Sequence, residues 1–245
     1  MTVIAVIGGT GSAQLNADVV KELPLAETPF GQPSGPVSEC VFGQKDTSFL
    51  FLPRHGPVGG IPPHRVNYRA NIWALHEQQP DYIVALNAVG GISDDAMPAR
   101  LVIPEQLIDY TSGRAHTYFD GDLAPLEHID FTAPFAAGVR DHLIATAKAQ
   151  SLDFIDGGTY AVTQGPRLET AAEIDRLEQD GCNIVGMTAM PEAALARELG
   201  MDYVICAVVV NRAAGRAVSG NDIHAEIEQS ISAGMSQAEQ LLKNL

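Results

Sequence analysis

A chain of 245 residues, 46% of them hydrophobic, can bury one substantial core, and a single domain over 1–245 is the default expectation. With 30 acidic against 15 basic residues and a formal net charge of -15, it repels polyanions, which excludes nucleic acid or an anionic membrane as its main partner. Three widely spaced cysteines, Cys40, Cys182 and Cys206, offer neither a disulfide framework nor metal-ligand spacing, so no metal site is expected.

The opening MTVIAVIGGTGS has no basic leader, and its apolar run is too short for a signal or a membrane span; a soluble cytoplasmic protein is expected. Val3–Ile7 reads as a strand ending in Gly8-Gly9-Thr10-Gly11-Ser12. Backbone N–H groups in such a loop can face an anion, and Thr10 adds a hydroxyl. The dinucleotide fingerprint fails, because the third glycine of G-x-G-x-x-G falls on Gln14. A buried turn that simply needs glycine remains open.

Beyond the Pro- and Gly-rich segment Pro24–Pro36, the runs Ser38–Phe42 and Ser48–Leu52 flank a Gln-Lys-Asp turn and read as a hairpin. The second run feeds PRHGPVGGIPPHRVNYRANIWAL: an Arg-His pair at a strand end, a Gly/Pro loop, and a helical pattern from Val66 to about Gln79-Pro80. In an acidic chain the cluster Arg54, His55, His64, Arg65 and Arg69 needs a local reason. The planar fork of Arg54 suits phosphate, and His55 is placed to donate a second bond. A surface ion pair is the alternative for Arg54.

Asp81–Ala88 is a continuous apolar run, as in a strand buried on both faces, with Gly90-Gly91 as its end. Leu101–Ile103 and Gln106–Tyr110 read as shorter strands. Thr111–Pro134 lacks periodicity but carries aromatic residues; it is long for an idle loop, so a functional or oligomer-contact role is expected. A helix over about Gly138–Ser151 and a strand over Gly158–Gln164 lead into Gly165-Pro166-Arg167-Leu168-Glu169. A helix (Thr170–Gln179), a strand (Cys182–Met187), a helix to Leu199 and a strand (Tyr203–Val210) follow, with Asn211-Arg212 just past the last strand. Asp222 is placed to cap a final helix in which Ile227, Ile231, Met235, Ala238 and Leu242 recur at helical spacing.

Strands alternating with helices describe an α/β fold with helices covering a sheet. Thr10, Arg54, Ala88, Glu169, Thr188 and Asn211 all follow strands, where ligands collect in such sheets, and are expected to converge on one pocket. An amide donates and accepts while a carboxylate only accepts, so Asn211 with Glu169 matches the edge of a 6-oxopurine. Plainer roles stand beside these: Glu169 at a helix dipole, Asn211 in a turn, Thr188 as an ordinary N-cap, Met187 in the core, and His76 and His142 as structural helix residues.

Taken together, GGTG (8–11), RHG with PPHRVNYRANIWAL (54–75), NAVGG (87–91), GPRLETAAE (165–173), GMTAMPEAALARELG (186–200) and VVVNR (208–212) resemble the purine nucleoside phosphorylase and methylthioadenosine phosphorylase family over nearly the whole chain. The resemblance implies a single-domain α/β nucleoside phosphorylase fold with a mixed central β-sheet flanked by helices, assembled as a homotrimer. It implies cleavage of the N-glycosidic bond of a purine nucleoside by inorganic phosphate as co-substrate, with no metal or organic cofactor. Thr10, Arg54, His55, Ala88 (through its backbone) and Thr188 match phosphate-binding positions. Met187 matches a ribose contact, and Leu168 stands where the family usually has a stacking Phe. Asn211 matches the residue holding purine N7 and the 6-substituent, with Arg212 and Ala213 as further substrate contacts; Asn211 and His55 are the implied catalytic groups.

Adenine-specific members carry Asp and Ser where this chain has Asn211 and Glu169; the 6-oxopurine enzymes carry Asn and Glu. Hypoxanthine and guanine offer Glu169 an N1–H and Asn211 an O6, whereas adenine would leave Glu169 facing a lone pair. Such a mismatch is worth roughly 10⁴ in discrimination. At the 5′ end of the sugar the family uses a His for inosine and guanosine and an aliphatic residue for methylthio substrates. Ile223-His224 offers both, and Ile223 is expected to line the pocket because residues 54–75 are of the methylthio type. The combination resembles the methylthioinosine-cleaving members. A general inosine/guanosine phosphorylase, a methylthioadenosine phosphorylase and a non-catalytic nucleotide-binding module are the alternatives. Two departures stand out: Asn87 replaces a Thr in the phosphate loop, and Gly59 replaces the His of methylthioadenosine enzymes.

Overall fold

The structure, a computed structural model, describes residues 2–43, 48–121, 125–216 and 223–245, the first turn of the last helix by its backbone alone. Its centre is a pair of long strands, β5 (Tyr82–Gly91) and β11 (Tyr203–Arg212), buried along almost their whole length. Covered on both faces, neither needs polar alternation, which is why their sequences run apolar. They pair in parallel from Tyr203↔Ile83 to Arg212↔Gly91.

A strand has two edges, so the remaining partners of β5 share the edge away from β11. β1 (Ile4–Gly8) runs parallel to its first half and last pairs at Ile7↔Ala85. β10 (Ile184–Gly186) runs antiparallel to its end, through Val185↔Gly90 and Ile184↔Gly91. The carboxyl ends of β1 and β10 therefore point toward each other along one edge, with Leu86–Val89 between them. The sheet forks there.

One branch continues from β1 through β4 (Ser48–Pro53), β3 (Ser38–Val41) and β2 (Asp18–Glu22). The other runs from β10 through β9 (Thr159–Val162) to β7 (Gln106–Asp109). Beyond β11 lie β6 (Leu101–Ile103) and β8 (Phe154–Asp156). With β3 antiparallel to both its neighbours and β10 antiparallel to β5, the sheet is mixed, as the family resemblance implies.

Among the described residues, five helices flank it: α1 (Tyr68–His76), α2 (Ala137–Ala149), α3 (Ala171–Gln179), α4 (Ala189–Glu198) and α5 (Ile223–Leu242). α1 starts two residues later than its apolar pattern, because Asn67 accepts a hydrogen bond from the Ala70 N–H and caps it. It packs on α4, while α5 lies on β11 and buries Ile231, Met235, Ala238 and Leu242. Of these, the larger side chains Ile231, Met235 and Leu242 each contribute roughly 1.5–3 kcal/mol.

Four features depart from the sequence reading. β2 is exposed at every position, so it has no alternation to detect, and β8 is only three residues long. β5 runs on past Ala88 and closes on Gly90 and Gly91, which pair with β10 and β11 at once. Asn211 and Arg212 belong to β11, beyond a bulge between Val209 and Asn211. The Gln-Lys-Asp turn and the Asp222 cap lie outside the described residues. Among those residues no helix is long and apolar enough to cross a membrane.

Candidate active site

The fork in the sheet opens into a cavity of about 580 Å³. Thr10 follows β1, Arg54 and His55 follow β4, Ala88 lies in β5, Leu168 and Glu169 follow β9, Met187 and Thr188 follow β10, and Asn211 and Ala213 come from the end of β11; all line it. Convergence has a topological cause. β1 and β10 run in opposite directions along β5, so their carboxyl ends meet rather than diverge. A smaller cavity of about 520 Å³ toward β3 and β4 shares Gly9, Thr10, His55 and Gly59 but none of the residues from β10 or β11.

Arg54 is not a surface residue. Its Nε and Nη2 donate to Oε2 and Oε1 of Glu192, each at 2.8 Å, and its Nη1 donates to the Leu86 carbonyl at 2.9 Å. Both side chains are buried. Burial by itself disfavours the guanidinium charge, but Glu192 more than offsets it and holds the Arg54 pKa above its ordinary value. The Tyr203 hydroxyl donates to Glu192 Oε1 at 2.8 Å, and burial, reinforced by that carboxylate, pushes its pKa far up. The fork expected to hold an anion thus clasps a carboxylate, and only its outer N–H groups remain for a ligand. Glu192 was not assigned a role from sequence. Its signal is an acid in the first turn of α4, set within the apolar stretch Ala189–Ala196.

His55 also differs from expectation. Its Nδ1 lies 2.7 Å from the Ile61 carbonyl, which can only accept, so Nδ1 carries the ring hydrogen. Burial first, then the charge of Arg54, lowers its pKa from the ordinary value near 6.5. At neutral pH the ring is uncharged with Nε2 bare, so Nε2 can accept a hydrogen bond but not donate one. The glycines of GGTG have packing reasons of their own. A Cβ at Gly9 would sit 2.6 Å from the Leu86 carbonyl oxygen and 2.7 Å from Arg54 Nη1, and Gly11 has φ +88°.

At the other end, the Glu169 carboxylate accepts from the Thr163 hydroxyl at 2.6 Å. It does not serve the dipole of α3: Thr170 caps that helix, and Glu173 completes the capping box. Asn211 sits just after the β11 bulge, a device that re-aims side chains beside sites. One Nδ2 hydrogen goes to the Arg212 carbonyl at 2.7 Å, leaving the other and Oδ1 for a ligand. It is not a turn residue. Met187 is half-buried at the wall, not core, and Leu168 is exposed at the mouth. Arg114, unassigned from sequence, donates to the carbonyls of Met187 at 2.8 Å, Met190 at 2.6 Å and Gln164 at 2.9 Å, tying the loops after β9 and β10 together. This gives the segment after Thr111 a structural task inside its own subunit.

Arg212 is a correction. Its guanidinium donates to the carbonyls of Ser93, Ala96 and Ile92, braces the turn after β5 and does not line the cavity. The basic cluster also disperses: His64 and Arg65 are exposed, and Arg69 pairs with Asp120. The side chains of Ile223 and His224 lie outside the described residues. Among those residues, no three His, Cys, Asp or Glu side chains gather as a metal-binding group.

The Phosphorylase superfamily pattern matches residues 3–245. A Pseudomonas syringae pv. tomato protein described as a probable S-methyl-5′-thioinosine phosphorylase is 49% identical over 243 residues, covering 99% of this chain and 97% of the relative. A 6-oxopurine nucleoside phosphorylase of Pyrococcus furiosus is 42% identical over 230 residues, with 91% and 84% covered. Among solved structures, methylthioadenosine phosphorylase from Schistosoma mansoni in complex with adenine superposes with a TM-score of 0.89 at 30% identity, over 100% of this chain and 91% of that one. With end-to-end sequence matches and the same fold, the chain belongs to the phosphorylase superfamily.

Proposed function

We propose that the protein cleaves S-methyl-5′-thioinosine with inorganic phosphate, giving hypoxanthine and 5-methylthioribose 1-phosphate. The observation that carries the purine assignment is Glu169 facing the same cavity as Asn211, with one carboxylate oxygen already bound by Thr163. A carboxylate held in this way offers its other oxygen to an N1–H, and the free Asn211 N–H reaches O6 or N7. Relatives named for methylthioinosine support the 5′-methylthio end.

In this reading the C1′–N9 bond breaks ahead of attack, and its electron pair leaves with the base. Asn211 donates to N7, taking up part of the developing charge, and the departing base gains, through solvent, the proton that the P–OH gives up as the 1-phosphate ester forms. Positive charge builds on the ribose, where phosphate stabilises it and then captures C1′. Thr10, Thr188, the backbone at Ala88 and the outer N–H groups of Arg54 hold the phosphate. Neutral His55 accepts the hydrogen of its P–OH and so leaves the attacking oxygens unprotonated. Catalysis is positioning and electrostatics, without a covalent enzyme intermediate, metal or organic cofactor. The reading includes a cytoplasmic homotrimer.

The test is kcat/KM for methylthioinosine, inosine, methylthioadenosine and adenosine, each with phosphate. Methylthioinosine is expected to lead. Preference for the adenosine pair would overturn the Glu169–Asn211 readout. Equal rates for inosine would replace the reading with a general 6-oxopurine phosphorylase, as in the Pyrococcus relative. Absence of phosphate-dependent base release from every substrate would leave a binding module.

A further inference from the structure

Thr188 occupies the N-cap of α4, yet its side chain makes no capping bond to that helix. Its oxygen instead takes a hydrogen from Asn87, whose Nδ2 lies 2.7 Å from Thr188 Oγ1. Asn87 is 1% exposed and stands in β5 within the gap between β1 and β10. Tyr160, fully buried in β9, closes the cluster from below, pressed so tightly on Gly186 that a Cβ there would fall 2.2 Å from its hydroxyl. Burial pushes that phenol up to about 12, with Arg54, Asn87 and Thr188 pulling against it, so it keeps its own hydrogen at neutral pH.

A hydroxyl has one hydrogen and two lone pairs. With an amide N–H directed at one lone pair, the Thr188 hydrogen gains nothing by turning toward Asn87. It is released from the helix end as well. Thr188 also lines the cavity beside Arg54 and His55. We infer that Asn87 is a positioning residue that polarises Thr188 into a fixed hydrogen-bond donor toward a tetrahedral oxyanion in the cavity. This rests on the reading of Thr10, Arg54, His55 and Thr188 as the phosphate site. Asn87, which replaces the family's threonine, then acts on phosphate through Thr188 and not by contact.

The experiment is a double-mutant cycle read as separate KM values for phosphate and for methylthioinosine, with melting temperature as a folding control. Asn87→Leu, close in size, is expected to raise the phosphate KM about tenfold, the value of one net hydrogen bond, with the nucleoside KM within about twofold. In a Thr188→Val background the same change should add less than about twofold. Asn87→Asp supplies a second variant should the leucine protein not fold. A carboxylate only accepts, so it should draw the Thr188 hydrogen back, repel phosphate, and raise the phosphate KM more than leucine does. Equal increases in both KM values, or full additivity with Thr188→Val, would show a merely structural Asn87 and overturn the inference. If Thr188→Val alone leaves the phosphate KM unchanged, the phosphate-site reading fails, and the inference fails with it.

Discussion

Glu192 grips Arg54 along one edge of its guanidinium, Oε2 to Nε and Oε1 to Nη2, both at 2.8 Å. The pair joins the loop after β4 to helix α4, with side-chain exposures of 1% and 0%. Two charges so deeply buried lose much hydration, so their attraction is weak support for net stability. What the pair does achieve is orientation. It fixes which N–H groups of Arg54 face the cavity, and Tyr203 fixes Glu192 in turn.

Breaking this pair from one side leaves a buried charge without its partner. Glu192→Ala is expected to destabilise the protein by about 3–5 kcal/mol, and Arg54→Met by a similar amount. The double variant Arg54→Met, Glu192→Leu should recover most of that loss while phosphorolysis stays abolished. Denaturant unfolding alongside a phosphorolysis assay separates the two effects. A double variant as unstable as the singles would contradict the account.

Gly9 is held to its identity by contact. Its missing Cβ would collide with the Leu86 carbonyl oxygen, which is backbone and cannot swing away, and with Arg54 Nη1. Gly9→Ala should cost about 1–3 kcal/mol through overpacking. It should also raise the phosphate KM, since Arg54 is the mobile partner in the collision. An unchanged phosphate KM in a destabilised variant would separate the glycine from the anion site.

The depressed pKa of His55 makes stability depend on pH. The unfolded chain takes up that proton near pH 6.5, the folded chain only at lower pH. Between those points the unfolded state binds more protons, so stability rises with pH. The contribution is complete above about pH 6.5 and is lost as pH falls through the folded pKa. In phosphate-free buffer, the stability of the native protein minus that of His55→Asn should grow from pH 5 and level off above about pH 6.5. A difference flat across that range would mean the ring titrates normally.

At the base end, Glu169→Ser with Asn211→Asp should shift preference toward adenine nucleosides. The serine no longer demands an N1–H, and a protonated or solvated aspartate pairs with the 6-amino edge. The kcat/KM ratio of methylthioinosine to methylthioadenosine should fall by two or more of the roughly four decades available to a buried polar mismatch. Unchanged preference in the folded double variant would show that base selection lies elsewhere.

How much was legible beforehand follows from the kind of information each feature needs. Strands β1, β5 and β11 are continuous apolar runs, and α3 has a capping box, so local composition sufficed. β2 was illegible because it is exposed on both faces and has no pattern to read. Family motifs supplied Thr10, Arg54, His55, Glu169, Thr188 and Asn211, and the fold brings all six to one cavity. They also supplied Arg212, whose guanidinium the fold turns to the carbonyls of Ser93 and Ala96, because a motif does not say which way a guanidinium points.

By itself the sequence determined the α/β class, the order of most elements and the residues gathered after the strands. These depend on periodicity and on short motifs, each contained within a few neighbouring residues. Only the tertiary structure decided that Arg54 faces Glu192, that His55 is neutral with Nε2 bare, that Thr163 holds Glu169, and that Asn87 holds Thr188. Each depends on burial and on partners that only folding brings together; for Arg54 and Glu192 they are 138 residues apart, and for Asn87 and Thr188, 101. Burial changes which charge is stable, and a partner's geometry changes which hydrogen is free, so neither is written in the residue alone.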